Sequence, residues 1–268
     1  MPFLARDGCH LYYETHGAGP ALVFAHGLGG GHLSWWQQVP HFRGRYTCVT
    51  FDHRGFGLSR DAPGGPDPDA YVDDLAALVE HLGVPDVRLV AQSMGGWACL
   101  GYALSHPGRV RALVMASTTG TLADPEVLRL FRAHGAAQPE KALFARGIHP
   151  ACGERMAREQ PALHFLYREV DALSHDLDKD VVRRKLIAMR TTPRAAVATL
   201  EAPLLCITGE EDIVIPPAAV AVLASIVPGA RLARVPEAGH SVYWERPETF
   251  NRLVDDFLWQ VDGGARPA

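Results

Sequence analysis

Long apolar runs, an even set of cysteines and a surplus of basic charge are all missing from this chain. No apolar stretch reaches the roughly 18 residues that a membrane-spanning helix needs. The start, Met1-Pro2-Phe3-Leu4-Ala5-Arg6-Asp7, has no basic segment followed by a long apolar one. The expectation is a soluble, unsecreted, cytoplasmic protein with no membrane partner. Net charge is −4 and the pI about 6.3, with no basic stripe, so nucleic acid is not an expected partner. The cysteines are five, an odd number, and widely spaced: Cys9, Cys48, Cys99, Cys152 and Cys206. That favours reduced core thiols over a disulfide frame or a metal site. Cys99 falls inside an expected helix, where no turn would expose it as a nucleophile. Internal repeats and low-complexity segments are lacking too.

What is present is 268 residues, 47% of them hydrophobic. That is enough for one large α/β domain with an inserted subdomain. One stretch organises the rest. Residues 87–91 form a short apolar run with a single Arg, as in a buried parallel strand. Residues 97–104 are apolar enough for a buried helix. Between them stands Ala91-Gln92-Ser93-Met94-Gly95. A serine on so sharp a strand-to-helix turn has its hydroxyl pushed out above the sheet, and small residues on either side let neighbouring segments approach. This is the nucleophile-elbow pattern, with Ala in the first Gly place.

Other apolar runs, at 21–25, 46–51, 110–117, 202–208 and 230–235, predict further core strands, and 3–8 with 10–15 a hairpin. Helical stripes fall at 69–82, 218–227 and 246–260. The glycine-rich loop His26-Gly27-Leu28-Gly29-Gly30-Gly31 fits neither the dinucleotide fingerprint nor the phosphate loop. It can instead present backbone N–H groups to an oxyanion, those of Leu28 and Met94 being the natural pair. Trp36 and Trp97 are taken as substrate-binding. Asp52-His53-Arg54-Gly55 reads as a salt-bridged loop, not a catalytic one. From Thr121 the character changes. Residues 121–200 hold helical stripes, prolines, many arginines and no strand-like run. The histidines there, His134, His149, His164 and His175, stand 15, 15 and 11 residues apart, which is no metal-ligand spacing. The division is therefore 1–120 with 201–268 as an α/β core and 121–200 as a helical lid. The tail, 263–268, is expected to be frayed.

A serine hydroxyl is a poor nucleophile at neutral pH. It needs a base beside it, and the base needs an anion to fix its tautomer. Three loops, each just past an expected strand, supply these groups in the order Ser93, Asp212, His240. In a parallel sheet such loops share one edge.

Here the chain resembles the α/β-hydrolase superfamily over nearly its whole length. The resemblance is carried by His26-Gly27-Leu28-Gly29-Gly30, Asp52-x-Arg54-Gly55-x-Gly57-x-Ser59, Gln92-Ser93-Met94-Gly95-Gly96, Gly209-x-x-Asp212-x-x-x-Pro216 and Gly239-His240 followed by Glu245-x-Pro247-Glu248. It implies an α/β-hydrolase fold, an eight-stranded mostly parallel sheet flanked by helices, with no cofactor. It implies Ser93 as nucleophile, His240 as base and Asp212, over Glu210 and Glu211, as acid. Ser93 stands where haloalkane dehalogenases and epoxide hydrolases carry Asp. The chain is similar to enol-lactonases and small carboxylesterases. The expected activity is hydrolysis of an ester or lactone of a small molecule through an acyl-enzyme. Alternatives on the same scaffold are carbon–carbon hydrolysis of vinylogous diketones, a cofactor-free oxygenase, a lyase, a perhydrolase or a ligand receptor. A homodimer is left open.

Overall fold

The computed structural model describes residues 2–6, 8–136 and 139–264. Ten strands run in chain order: β1 (Phe3–Arg6), β2 (Cys9–His16), β3 (Ala21–Ala25), β4 (Thr47–Phe51), β5 (Val87–Gln92), β6 (Val110–Ala116), β7 (Leu122–Ala123), β8 (Thr192–Pro193), β9 (Leu204–Gly209) and β10 (Arg231–Val235). Eight of them form one sheet in the order β1-β2-β4-β3-β5-β6-β9-β10. The β1–β2 hairpin and the β2–β4 pair are antiparallel; every later pair is parallel. The eight-stranded, mostly parallel sheet that the resemblance implies is therefore present.

The inner strands read as unbroken apolar runs because both faces are covered. Along β3, Ala21, Val23 and Ala25 join one core with Leu75, Leu100 and Val220, from helices Tyr71–His81, Gly95–Ser105 and Pro217–Ile226. Leu22 and Phe24 point the other way, to Trp35, Trp244 and helix Pro247–Val261. Full burial of a side chain such as Phe24 contributes about 1.5–3 kcal/mol. Arg88, the one charge in β5, is held by Asp86 at 2.7 Å and Asp262 at 2.5 Å. All five cysteines are free and buried, and burial pushes the Cys99 thiol far up.

Between β6 and β9 the chain makes an insert of helices Pro125–Ala136, Pro139–Ala145, Gly153–Glu159, Pro161–Ala172 and Lys179–Ala188. Three of these begin at a proline, whose missing N–H costs nothing in a first turn. Asp178 caps the last, accepting from the N–H groups of Asp180 and Val181. One feature differs from the sequence expectation. Strands β7 and β8 pair in parallel at the root of the insert, beside a 2.7 Å hydrogen bond between the Thr121 and Thr192 hydroxyls. Two residues a side are too few to leave a periodic signal. Among the described residues no helix is long and apolar enough to cross a membrane. Of the tail expected to fray, 263–268, residues 265–268 lie outside the described residues.

Candidate active site

Ser93 follows β5 directly and opens onto helix Gly95–Ser105. Its φ is 49°, in the left-handed region that L residues avoid. The turn is pinned by the Ser93 N–H donating to Ala116 O at 3.0 Å and by the Gly96 N–H donating to Ser93 O at 2.9 Å. A Cβ on Gly95 would strike the backbone of Ala25 on β3, so this position must be glycine. Ala91, in the first Gly place of the pattern, puts its methyl into the core beside Ala25.

Asp212 lies just after β9 and His240 just after β10. His240 Nδ1 is 2.9 Å from Asp212 Oδ2 and 3.1 Å from Oδ1. With Nδ1 donating to the carboxylate, Nε2 is the free basic nitrogen. The buried Asp212 also accepts from the N–H groups of Val214 at 2.8 Å and Ile215 at 2.9 Å. Its neighbours in sequence do nothing similar: Glu210 is exposed, and Glu211 pairs with Arg155 at 2.6 Å. Glu245, five residues past His240, accepts from the N–H groups of Gly239 at 2.8 Å and Ser241 at 3.2 Å. It thus holds the residues on either side of His240. Burial raises its pKa to about 7, against the pull of those two N–H groups.

The loop after β3 faces the elbow. His26 Nδ1 donates to Gly27 O at 2.7 Å, and its Nε2 accepts from the His53 N–H at 3.0 Å. Burial keeps this ring neutral, its pKa lowered to about 4. A Cβ on Gly27 would run into Gln92 and Ser93. Among the described residues, no backbone or side-chain acceptor takes the N–H of Leu28 or of Met94.

Ser93, His240, Leu28, Met94 and Trp97 line one cavity of about 890 Å³. Its opposite wall comes from the insert, with Leu128, Phe131, Leu186 and Ile187 among its apolar groups. Trp97 is fixed there by its indole N–H, which donates to Leu186 O at 3.0 Å. Trp36, expected beside it, is not in the lining. It is 44% exposed and stands edge-on to Trp244, while its neighbour Trp35 is in the core. On a single 3₁₀ turn the two rings point in different directions. The Asp52 loop is hydrogen-bonded and salt-bridged, with Asp52 and Arg54 each holding other partners. Asp52 accepts from His32 and from the Leu58 N–H at 2.8 Å, while Arg54 makes a bidentate pair with Asp74 at 2.6 and 2.5 Å. Sequence reasoning missed Arg190, Asp171 and Lys179 of the lining, none of which sits in a recognisable pattern. Of the insert's four histidines, His134, His149 and His175 reach the lining. Among the described residues, no group of three or more His, Cys, Asp or Glu could hold a metal ion.

A relative named as a non-heme bromoperoxidase in Mycobacterium tuberculosis is 30% identical, covering 94% of this chain and 98% of its own. One named as a carbamate hydrolase in Azorhizobium caulinodans is 26% identical over 98% of this chain and all of its own. Among solved structures, an N-acyl homoserine lactone degrading enzyme superposes with a TM-score of 0.77 at 26% identity, covering 96% of this chain and 100% of that one. A thermophilic esterase from Thermogutta terrifontis does so with a TM-score of 0.77 at 25% identity, covering 97% of each chain. The family model for the alpha/beta hydrolase fold matches residues 20–247, and the chain belongs to that family.

Proposed function

We propose that the chain hydrolyses a carboxylic ester or lactone of a small molecule through an acyl-enzyme on Ser93. The observation that carries this is the buried His240–Asp212 pair on the same cavity as a serine held at a left-handed elbow. His240 Nε2 takes the Ser93 proton as Oγ attacks the carbonyl carbon. The N–H groups of Leu28 and Met94 receive the oxyanion, a contribution worth about 3–4 kcal/mol per donor in comparable sites. His240 then protonates the departing alcohol. It next activates a water, which releases the acid and restores Ser93. Asp212 keeps Nδ1 protonated throughout and stabilises the imidazolium.

The lactone-degrading enzyme, the esterase and the relative named as a carbamate hydrolase support this class, since each name implies attack on an acyl carbon bearing a heteroatom. The relative named as a bromoperoxidase favours one second reading, in which hydrogen peroxide rather than water takes the acyl group. Fluorophosphonate labelling tests the nucleophile, and a panel of aryl esters, lactones, carbamates and dienone carboxylates tests the class. Ser93→Ala should lose both label and turnover. Labelling without turnover of any ester or lactone would sink the proposal. So would a dienone acid consumed about a hundred-fold faster than all of them, a gap of roughly 2.7 kcal/mol.

A further inference from the structure

Among the described residues, the charged groups of the cavity are paired, used as a cap or exposed, except for one cation that lies against aromatic rings. Lys179 pairs with Asp171 at 2.7 Å, Arg183 pairs with Asp180 at 2.7 Å, and Asp178 is used as a helix cap. Arg132, also on the lining, is exposed to solvent. Arg190 is half-buried and has no carboxylate partner among the described residues. Its guanidinium lies 4.7 Å from the Trp97 ring centre and 4.3 Å from that of Phe131. Nη1 donates to Thr119 Oγ1 at 2.6 Å and to Gly120 O at 3.3 Å. Nε and Nη2 make no hydrogen bond among the described residues.

A cation taken out of water loses hydration that neutral acceptors only partly replace. Ring faces compensate in part. Burial pulls the Arg190 pKa down to about 10, which leaves it charged at neutral pH. The cavity therefore contains a fixed positive charge with unused donors in a planar fork, the geometry that suits a carboxylate. Trp97, on which it stacks, belongs to the first turn of the helix that begins at the Ser93 elbow.

We infer that Arg190 is the docking point for a free carboxylate on the substrate, so that the site takes esters or lactones that carry a second, unesterified acid. This rests on the reading of the cavity as an ester or lactone site. A rival role is a strut, since the contacts with Thr119 and Gly120 also tie the insert to the loop after β6.

The test is calorimetric binding to the full Ser93→Ala chain, which does not depend on turnover. The probes are the monobenzyl esters of succinate, glutarate and adipate, each against its methylated, neutral counterpart. At least one acid should bind roughly 10- to 100-fold more tightly than its neutral partner, as expected for a charged hydrogen-bonded pair. Adding Arg190→Gln should bring that ratio close to one. Arg190→Lys, which keeps the charge and loses the fork, should give an intermediate ratio. Arg129→Gln, which disturbs only an exposed pair with Glu126, should leave it unchanged. No preference for any acid, or a preference that survives both Arg190 variants, would overturn the inference. If the Ser93→Ala chain keeps the preference while the wild-type chain hydrolyses none of the esters, the hydrolase reading fails and the carboxylate site stands.

Discussion

Ser93 is a non-glycine residue at a φ of 49°, a conformation that costs an L residue about 1–2 kcal/mol. Ser93→Gly should therefore melt no lower than Ser93→Ala, although both lack the hydroxyl. A markedly lower melting point for the glycine variant would mean that the elbow is not strained. Asp212→Asn should cut turnover by about 10⁴, the loss seen when a triad acid can no longer hold its histidine. Glu211→Gln, losing only a surface pair with Arg155, should stay within a few-fold of wild type; the reverse ranking in steady-state rates would show the wrong acid has been named. Glu245 has its folded pKa raised from 4.5 to about 7. A carboxyl raised in this way favours folding in its protonated form. Its contribution is full below about pH 4.5 and is lost as pH rises through 7. The amount at stake is about 3 kcal/mol at 1.36 kcal/mol per pKa unit. Chemical denaturation from pH 5 to 8 should show wild type losing stability relative to Glu245→Gln, and parallel profiles would refute this. Ser93, Asp212 and His240 could be picked out because each follows an apolar run closely. Glu245 could be seen only as part of a family pattern, and Arg190 not at all. Nothing local separates Arg190 from the insert's other arginines, because its role arises where the insert meets the elbow helix.

Among the elements, the join between β3 and the elbow helix is the least forgiving. Gly95 faces the Ala25 carbonyl, which is backbone and cannot swing aside. Gly95→Ala should destabilise by about 1–3 kcal/mol, the usual cost of overpacking. Gly135, next to the last residue of helix Pro125–Ala136, where an added Cβ would meet no atom within 4 Å among the described residues, should respond in the opposite sense. Gly135→Ala there is expected to stabilise by about 0.5–1 kcal/mol. Urea titrations of the two variants check the contrast, and equal shifts would contradict it. The sheet was readable for the same physical reason that makes this join tight: strands buried on both faces must be apolar throughout. The β7–β8 pair was not readable, being held by one register and two hydroxyls. Trp36 was misjudged because a tryptophan beside a core tryptophan on a 3₁₀ turn has no periodicity to place it. The partners of the Asp52 loop were not readable because nearness in sequence says little about them: Arg54 reaches Asp74, 20 residues on.

Over the whole molecule, stability should be uneven. β5 and β6 lie inside the sheet, whereas the insert carries exposed Phe144, Phe165, Leu173 and Ile187. Hydrogen exchange followed by mass spectrometry should find the slowest amides in β5 and β6 and faster ones in the insert helices. A phosphonate bound to Ser93 should slow exchange in 125–136 and 179–188, whose side chains share its cavity. Exchange there that ignores the adduct would separate the insert from the chemistry. The root of the insert has a larger consequence. The chain leaves the core at Leu122 and comes back at Thr192, with the two ends side by side in one short parallel pair, while β6 and β9 pair with each other in the main sheet. Outgoing and returning strands form a socket, and β6 pairs with β9 without either of them. A foreign segment could be grafted there if its ends meet at the spacing of two paired strands and it covers the core as Val127, Val182 and Leu186 do. The wall that holds Ser93 and His240 would then face a different second wall.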